Sequence, residues 1–252
     1  MILQRLATSI RKQDWFTVLI ETLIVVFGVF IGLQVNNWNT ERGTKRALAE
    51  ARALLVEETE QNIWRADVLI SELSTVLPIV QSGVDALLGC DTSPEGTELV
   101  NAAMKAAVIT YGTTFDRDAL DTIVNSDVFL ARLPPGERQR LKDYSALLRL
   151  MQTEIRYQEM RPTDDIFWTA PSVGFSDIYD VPFDSYMGHE LTVSLREPVL
   201  VVEMQAACRD NELVKKLRIW EHYQSVVPTF AEKSKAAMQA NLDALLNEGE
   251  AP

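Results

Sequence analysis

The stretch FTVLIETLIVVFGVFIGLQV, residues 16–35, decides how this chain is built, because only Glu21 and Gln34 are strongly polar among its twenty residues. A helix of about 20 apolar residues, rising ~1.5 Å per residue, crosses the ~30 Å hydrocarbon core of a bilayer. Fourteen of the twenty are Leu, Ile, Val or Phe, and each favours insertion by roughly 0.3–0.6 kcal/mol. Their sum outweighs the few kcal/mol that Glu21 costs near one end. The stretch therefore predicts a transmembrane helix.

Two other interpretations of this stretch fit less well. A buried core helix would need apolar protein on every side, whereas the rest of the chain is amphipathic. A cleaved signal peptide usually has an apolar region of roughly 7–15 residues followed by a site of small residues, but the exit here reads QVNNWN, residues 34–39. We therefore expect an uncleaved signal anchor over residues 15–38, with Trp15 and Trp38 as interfacial anchors.

The charges that flank the span leave its orientation nearly level under the positive-inside rule. The tail, residues 1–14, carries apolar residues at helical spacing among basic ones, which is typical of an amphipathic helix on an anionic cytoplasmic leaflet. We therefore predict a cytoplasmic N-terminus, with most of the chain on the other side of the membrane. The flanking basic residues are Arg5, Arg11 and Lys12 before the span, and Arg42, Lys45, Arg46 and Arg52 after it.

Two features inside the span have both a functional and a neutral interpretation. Gly28 and Gly32 form a GxxxG pattern, which lets two helices approach closely in a membrane, although Gly is frequent in such helices anyway. Glu21 is an ionisable group in an apolar run and so a candidate functional residue, or a boundary residue that points to the head groups. The sequence thus offers a helix–helix contact at the two glycines and one membrane-embedded acid.

The charge of the remaining chain excludes one class of partner. The whole chain has 24 Lys and Arg and 36 Asp and Glu, of which residues 1–43 hold four and three, so the rest has a formal charge of −13. Such a surface repels nucleic acid, and we expect no DNA or RNA partner. With 47% hydrophobic residues, these about 210 residues suffice for one sizeable core.

The chain has two cysteines, Cys90 and Cys208. In an oxidising compartment they can form one disulfide that joins distant segments, and in the cytosol they would be buried thiols. The predicted orientation favours the disulfide. With only His189 and His222 and no CxxC, HExxH, GxSxG or Walker A pattern, the sequence supports no metal or cofactor, and we expect no enzymatic activity.

Residues 39–88 predict a long helix that continues directly from the span as a stalk. Its apolar residues are alternately three and four apart without a slip, which is the heptad seam typical of a coiled coil. Pro78 lies inside the pattern and is expected to kink the helix. The seam consists of Ile63, Ala66, Ile70, Leu73, Leu77, Val80, Val84 and Leu87.

The rest of the chain predicts a second long helix and shorter elements between. The two long helices are expected to pack antiparallel, which gives an all-α, extracytoplasmic helical bundle. In order, we predict helices at 97–109, 116–124 and 137–160 within residues 89–160; an ordered, aromatic and Pro-rich loop region or small subdomain at 161–198; a helix or short strand at 199–208 and a helix at 211–247, kinked at Pro228, within residues 199–247; and a disordered tail at 248–252.

The run LIVVFGVFIGLQVNNWNTER, residues 23–42, resembles the opening of a family of bacterial single-span membrane proteins of unknown function. In that family an acid and two apolar runs split by Gly lead into Gln-Val/Ile-Asn-Asn-Trp-Asn-Glu. Residues 115–144 and the C-terminal helix are similar too, although Asn125-Ser126-Asp127 stands where the family has Ser-Gly-Asn. The resemblance implies an inner-membrane protein with a helical periplasmic domain, and no activity. The matching residues are Glu21, Gly28, Gly32, Gln34, Asn36, Asn37, Trp38 and Asn39.

These patterns favour a protein-interaction or scaffold module of the bacterial envelope, anchored in the lipid bilayer. Its partner would be a second copy, in a homo-oligomer, or another membrane or envelope protein. The alternative is a periplasmic ligand-sensing module that acts through a partner protein, with Trp168, Asp177 and Tyr179 as its ligand patch. The acidic residues of that region equally suit a solvated loop.

Overall fold

The computed structural model describes residues 15–161, 169–184 and 190–249, and most of these residues are helical, which confirms the all-α class. Between the fifth and sixth helices lie four short strands. The helices are α1 (Trp15–Gly89), α2 (Pro94–Ala107), α3 (Asp118–Val124), α4 (Asp127–Leu130), α5 (Pro135–Met160), α6 (Met204–Ala207) and α7 (Asn211–Gly249). The strands are β1 (Val173–Phe175), β2 (Tyr179–Asp184), β3 (Glu190–Leu195) and β4 (Pro198–Leu200).

Helix α1 joins the predicted span to the predicted stalk as one helix of 75 residues. At ~1.5 Å per residue it would be about 110 Å long if straight. Within the described residues, it is the one helix long and apolar enough to cross a membrane, and none of its most apolar window near the N-terminus is buried in the chain. That window is therefore not part of this chain's core. Pro78 in α1 and Pro228 in α7 both lie inside their helices.

The heptad seam of α1 faces the chain's own helices. Its residues from Ile63 to Leu77 lie in or against a first core cluster with α3, α5 and the C-terminal half of α7. Its residues from Val80 to Leu87 belong to a second cluster with α2, α6 and the N-terminal half of α7, where Trp220 is completely buried. The seam is thus filled within one chain. This packing removes the seam as an indication of a coiled coil between chains.

Two contacts show that α1 and α7 pack antiparallel, as the sequence predicts. Cys90, just after α1, is joined to Cys208, just before α7, with their Cα atoms 5.4 Å apart. Farther back along α1, the Asp67 carboxylate pairs with the Lys235 ammonium at 2.5 Å. Helix α5 runs in the same direction as α1, because Glu137 near its start pairs with Arg52 and Gln152, farther along it, bonds Phe115, the neighbour of the Asp116 that Asn62 bonds. The bundle core is therefore built around α1.

Residues 108–117, here called the strap, cross between α2 and α3 without regular structure. Because no strand lies beside the strap, side chains from three helices bond its backbone. Asn62 of α1 bonds both the N–H and the C=O of Asp116, at 2.8 and 2.7 Å. Gln152 of α5 and Gln224 of α7 accept from the N–H groups of Phe115 and Tyr111, at 2.6 and 2.8 Å. Helix α3 begins at Asp118 rather than at the predicted residue 116, because residues 116 and 117 belong to the strap.

Residues 161–198, predicted as a loop region or small subdomain, hold three strands and the first residue of a fourth in their described part, and these strands form two separate antiparallel pairs. Strand β1 pairs with β4, with Val173 opposite Leu200, and β2 pairs with β3, with Tyr179 opposite Leu195. Helix α6 follows β4, so the predicted helix-or-strand segment at 199–208 holds the end of a strand and a short helix. At the C-terminus α7 continues through Gly249, which is two residues into the predicted tail.

Candidate interaction surface

The residues predicted to lie in or beside the membrane are on the exposed part of α1. An added Cβ at Gly28 or Gly32 would meet nothing within 4 Å, so both glycines are open to a neighbouring helix. Glu21 is exposed in the same segment. The Trp38 ring is 55% exposed, and the Arg42 guanidinium lies 4.3 Å from its centroid. Trp15 begins the helix, and its side chain lies outside the described part of the structure.

The predicted ligand patch is not assembled by the described residues. Trp168 lies outside them, and Asp177 is an exposed residue between β1 and β2. The Tyr179 hydroxyl donates to the Glu197 carboxylate, which also pairs with Lys105. The hydrogen bond raises the pKa of Tyr179, and Lys105, followed by Tyr179, lowers that of Glu197. These contacts connect β2 and the residue before β4 to α2.

Helix α3 is held between α1 and α5 by polar contacts. Its first N–H groups have no acceptor in their own chain segment, a general feature of helix starts, and Arg117 before it provides no side-chain cap. Glu58 of α1 accepts instead from the N–H groups of Ala119 and Leu120, at 2.7 and 3.2 Å. Burial raises the pKa of Glu58. Arg117 donates to Ser145 of α5 at 2.8 Å, so α3 is a fixed ridge.

A first groove, here called the acidic groove, runs between α1 and α3 and has a volume of about 330 Å³. Leu54 opens onto it with 57% of its surface exposed. Asp116 at its edge pairs with Arg65 at 2.7 Å. Among the described residues, Glu57 and Asp118 make no ion pair. The groove is lined chiefly by Leu54, Glu57, Glu58 and Gln61 of α1 with Asp118 and Thr122 of α3.

A second groove, here called the basic groove, lies on the other side of α3, against α5, and has a volume of about 540 Å³. Leu150 opens onto it with 53% of its surface exposed. Lys142 and Arg149 are exposed and, within the part of the chain that the structure describes, form no ion pair. The groove is lined chiefly by Val124 and Asn125 of α3 with Lys142, Ser145, Arg149 and Leu150 of α5.

The two grooves lie at the same level along the bundle. Glu58, which lines the acidic groove, accepts from the N–H of Ala119, and Arg117, two residues earlier, donates to Ser145, which lines the basic groove. The first turn of α3 therefore lies beside both grooves, and burial of Tyr144 next to Ser145 raises the tyrosine pKa to about 12. Leu120 and Ile123 turn α3 towards the core, which leaves Asp118, Thr122 and Asn125 exposed as the ridge between the grooves.

Trp64 lies farther along the same face of α1 and is 65% exposed. With Val68, Glu72 and the strap glycine Gly112 it lines a third hollow of about 390 Å³. An indole so exposed is unusual away from an interface, because Trp is highly buried on average and enriched at binding surfaces. The exposed face of α1 from Leu54 to Glu72 therefore carries two hollows in a row.

The sequence did not single out Leu54, Trp64, Leu150 or the two grooves. Their charges read as ordinary helix surface, since the grooves form only when α3 is placed between α1 and α5. An exposed Trp on the polar side of α1 was the one signal that could have pointed here. No protein-family model, no curated protein and no solved structure matches this chain, so the resemblance of its membrane-exit motif to a bacterial family stays a prediction.

Proposed function

We propose that this protein is a membrane-anchored interaction module of the bacterial envelope, with residues 1–14 in the cytoplasm, a span over residues 15–38 and the helical bundle in the periplasm. The observation that carries the proposal is that α1 is exposed and apolar at one end and forms the centre of the bundle at the other. A bundle fixed in this way to a span holds its side surfaces at a set height above the membrane.

Two further observations support this proposal. The Cys90–Cys208 disulfide suits an oxidising compartment outside the cytoplasm. The side of the bundle that carries Leu54, Trp64 and Leu150 exposes more than half of each of these apolar side chains, and Trp and Arg are enriched where proteins bind one another. No arrangement of comparable quality supports a small-molecule ligand among the described residues. The module would act by binding another envelope protein or a second copy of itself.

Photocrosslinking in intact cells tests the interaction. A photoreactive amino acid placed at position 54, 64 or 150 of the full-length protein should yield a crosslinked product, whereas the same group at position 219, replacing the 45% exposed Ile219 of α7, should not. Recovery of monomer alone from all three surface positions would contradict an interaction role. Products from position 219 in equal yield would show that the contacts are unselective.

A further inference from the structure

We propose that a second copy of this chain is the occupant of the two grooves, in a two-fold symmetric dimer whose axis is parallel to α1 and passes in front of α3. The inference deepens the proposed function and rests on it, because it names the partner of that surface. In this dimer the acidic groove of each copy would face the basic groove of the other. The residues that meet are Glu57 and Asp118 of one copy and Lys142 and Arg149 of the other.

Opposite charges lie side by side on one surface of this chain, which suits self-association. In a two-fold interface every contact occurs twice, so the surface must be complementary to itself. A surface with charges of one sign would repel the same surface of a second copy, as most of the surface of this acidic chain would. Here an acidic and a basic groove stand side by side with the narrow α3 ridge between them. A two-fold rotation about an axis in front of the ridge therefore exchanges the grooves and pairs their charges.

The position of the grooves relative to the membrane span favours the same axis. Two copies in one bilayer are related by an axis along the membrane normal, which is roughly the direction of α1. Such an axis brings together only surfaces that lie at equal height. The hydrogen bonds from the start of α3 to Glu58 of the acidic groove and to Ser145 of the basic groove put the grooves at equal height, so each can reach the other in a second copy. Anchoring in one plane also raises the effective concentration of the copies.

Each groove also offers an apolar side chain that another copy would cover. Leu54 and Leu150 are both more than half exposed and flank the unpaired charges. A second copy seated on the grooves would remove both leucines from water, which favours association. The ridge between them is polar: Asp118 lines the acidic groove and would face the basic groove of the other copy, and the neutral side chains of Thr122 and Asn125 would lie nearest the two-fold axis. The dimer would thus cover both leucines together with charges that form no ion pair among the described residues.

Charge reversal tests the pairing, with dimer dissociation of the full-length protein measured by fluorescence energy transfer in vesicles of neutral phosphatidylcholine. The variant Glu57→Lys/Asp118→Lys makes both grooves basic, and Lys142→Glu/Arg149→Glu makes both acidic. Each should weaken its own dimer by about tenfold or more, because like charges then face each other. The two variants mixed should form a heterodimer, and the fourfold variant in one chain should regain the native affinity to within about threefold.

The controls separate this inference from folding effects and from the proposed function. Glu212→Lys/Glu232→Lys, on exposed positions of α7, should leave the dimer unchanged, and circular dichroism should show native unfolding for every variant. A native protein that stays monomeric, equal dimerisation of all variants, or no recovery in the mixture and the fourfold variant would each overturn the inference. Dimerisation that is lost in Gly28→Leu/Gly32→Leu but unchanged in the charge variants would also overturn it, because the contact would then lie in the span. In all these cases, photocrosslinks to a different envelope protein would leave the proposed function standing.

Discussion

The side-chain amides of Asn62, Gln152 and Gln224 make hydrogen bonds to the backbone of the strap, as a neighbouring strand does in a sheet. Their sequence positions give no sign of this role, because Asn and Gln on helices ordinarily face water. The apolar residues around them were predictable from their periodicity, and their burial follows it. The amides were not, since their partners are backbone groups of a segment whose path depends on the whole bundle. The sequence therefore predicts the apolar residues of the core, and it does not predict the polar side chains that hold the strap.

Replacing Asn62, which is 1% exposed, tests the fastening of the strap. Asn62→Leu should lower the free energy of unfolding by about 1–3 kcal/mol, because the N–H and C=O of Asp116 lose their partners. Chemical denaturation of the full-length protein in detergent micelles, followed by circular dichroism, measures the change. Gln61→Leu, one residue away and exposed, is the matched control and should change stability little. An equal loss in both variants would show that the amide contacts are unimportant.

Asp210 makes folding depend on pH at the start of α7. Burial would raise its pKa, but hydrogen bonds from Ser172, Leu213 and Glu212 together lower it. Its stabilising effect is therefore present above the pKa of the unfolded chain, about 3.9, and is lost as the pH falls through the lower folded value. Asp210→Asn should thus flatten the loss of stability below about pH 4, measured by thermal unfolding between pH 6 and pH 3. Curves of equal slope would contradict this role.

Helices α1, α5 and α7 were predictable as elements because each repeats apolar residues at the helical period over many turns. The two strand pairs were not, since β1 and β4 have three residues each and β2 contains Pro182, which is uncommon inside strands. The seam of α1 was recognised, yet its partner was not. A heptad pattern reports an apolar stripe and carries no information on whether a second chain or the same chain covers it.

The close packing of α1 against α2 depends on Gly83. A Cβ there would collide with the side chain of Ala103 and come within 2.7 Å of the Leu99 carbonyl oxygen. Gly83→Ala should therefore destabilise the bundle by about 1–3 kcal/mol through overpacking. Gly43→Ala, in the same helix with nothing within 4 Å, should stabilise it by about 0.5–1 kcal/mol, since Ala is the better helix former. Thermal unfolding distinguishes the two, and a shared sign would contradict the packing.

The disulfide joins the end of α1 to the start of α7, and its two cysteines differ in backbone conformation. Cys90 has a left-handed φ of 49°, and the N–H groups of Cys90 and Asp91 bond Leu87 and Ala86 as in a helix end that favours Gly. Cys208→Ser should cost about 2–5 kcal/mol of unfolding free energy. Cys90→Gly should cost about 1 kcal/mol less, because it also removes the left-handed Cβ. Denaturation without reductant measures both, and a larger loss in Cys90→Gly would contradict the role of its backbone conformation.

At the scale of the whole molecule, one helix sets the architecture. The sequence predicted both the apolar segment of α1 and its continuation into the bundle, since no turn signal beyond Asn36-Asn37 separates the span from the helix that follows. It could not show the surface beside α3, which arises from residues far apart in the chain. In the proposed function, the charges on that surface would select the partner, and the span would set the height at which the bundle meets it.

Thiol labelling in intact bacterial cells tests most directly whether α1 carries the bundle across the membrane. A membrane-impermeant maleimide is added with and without prior reduction, and the protein is then denatured and assayed at Cys90 and Cys208. We expect labelling in intact cells only after reduction, because the disulfide would lie outside the cytoplasm. Free thiols that react only after the membrane is breached would place the bundle in the cytoplasm and contradict the proposed topology.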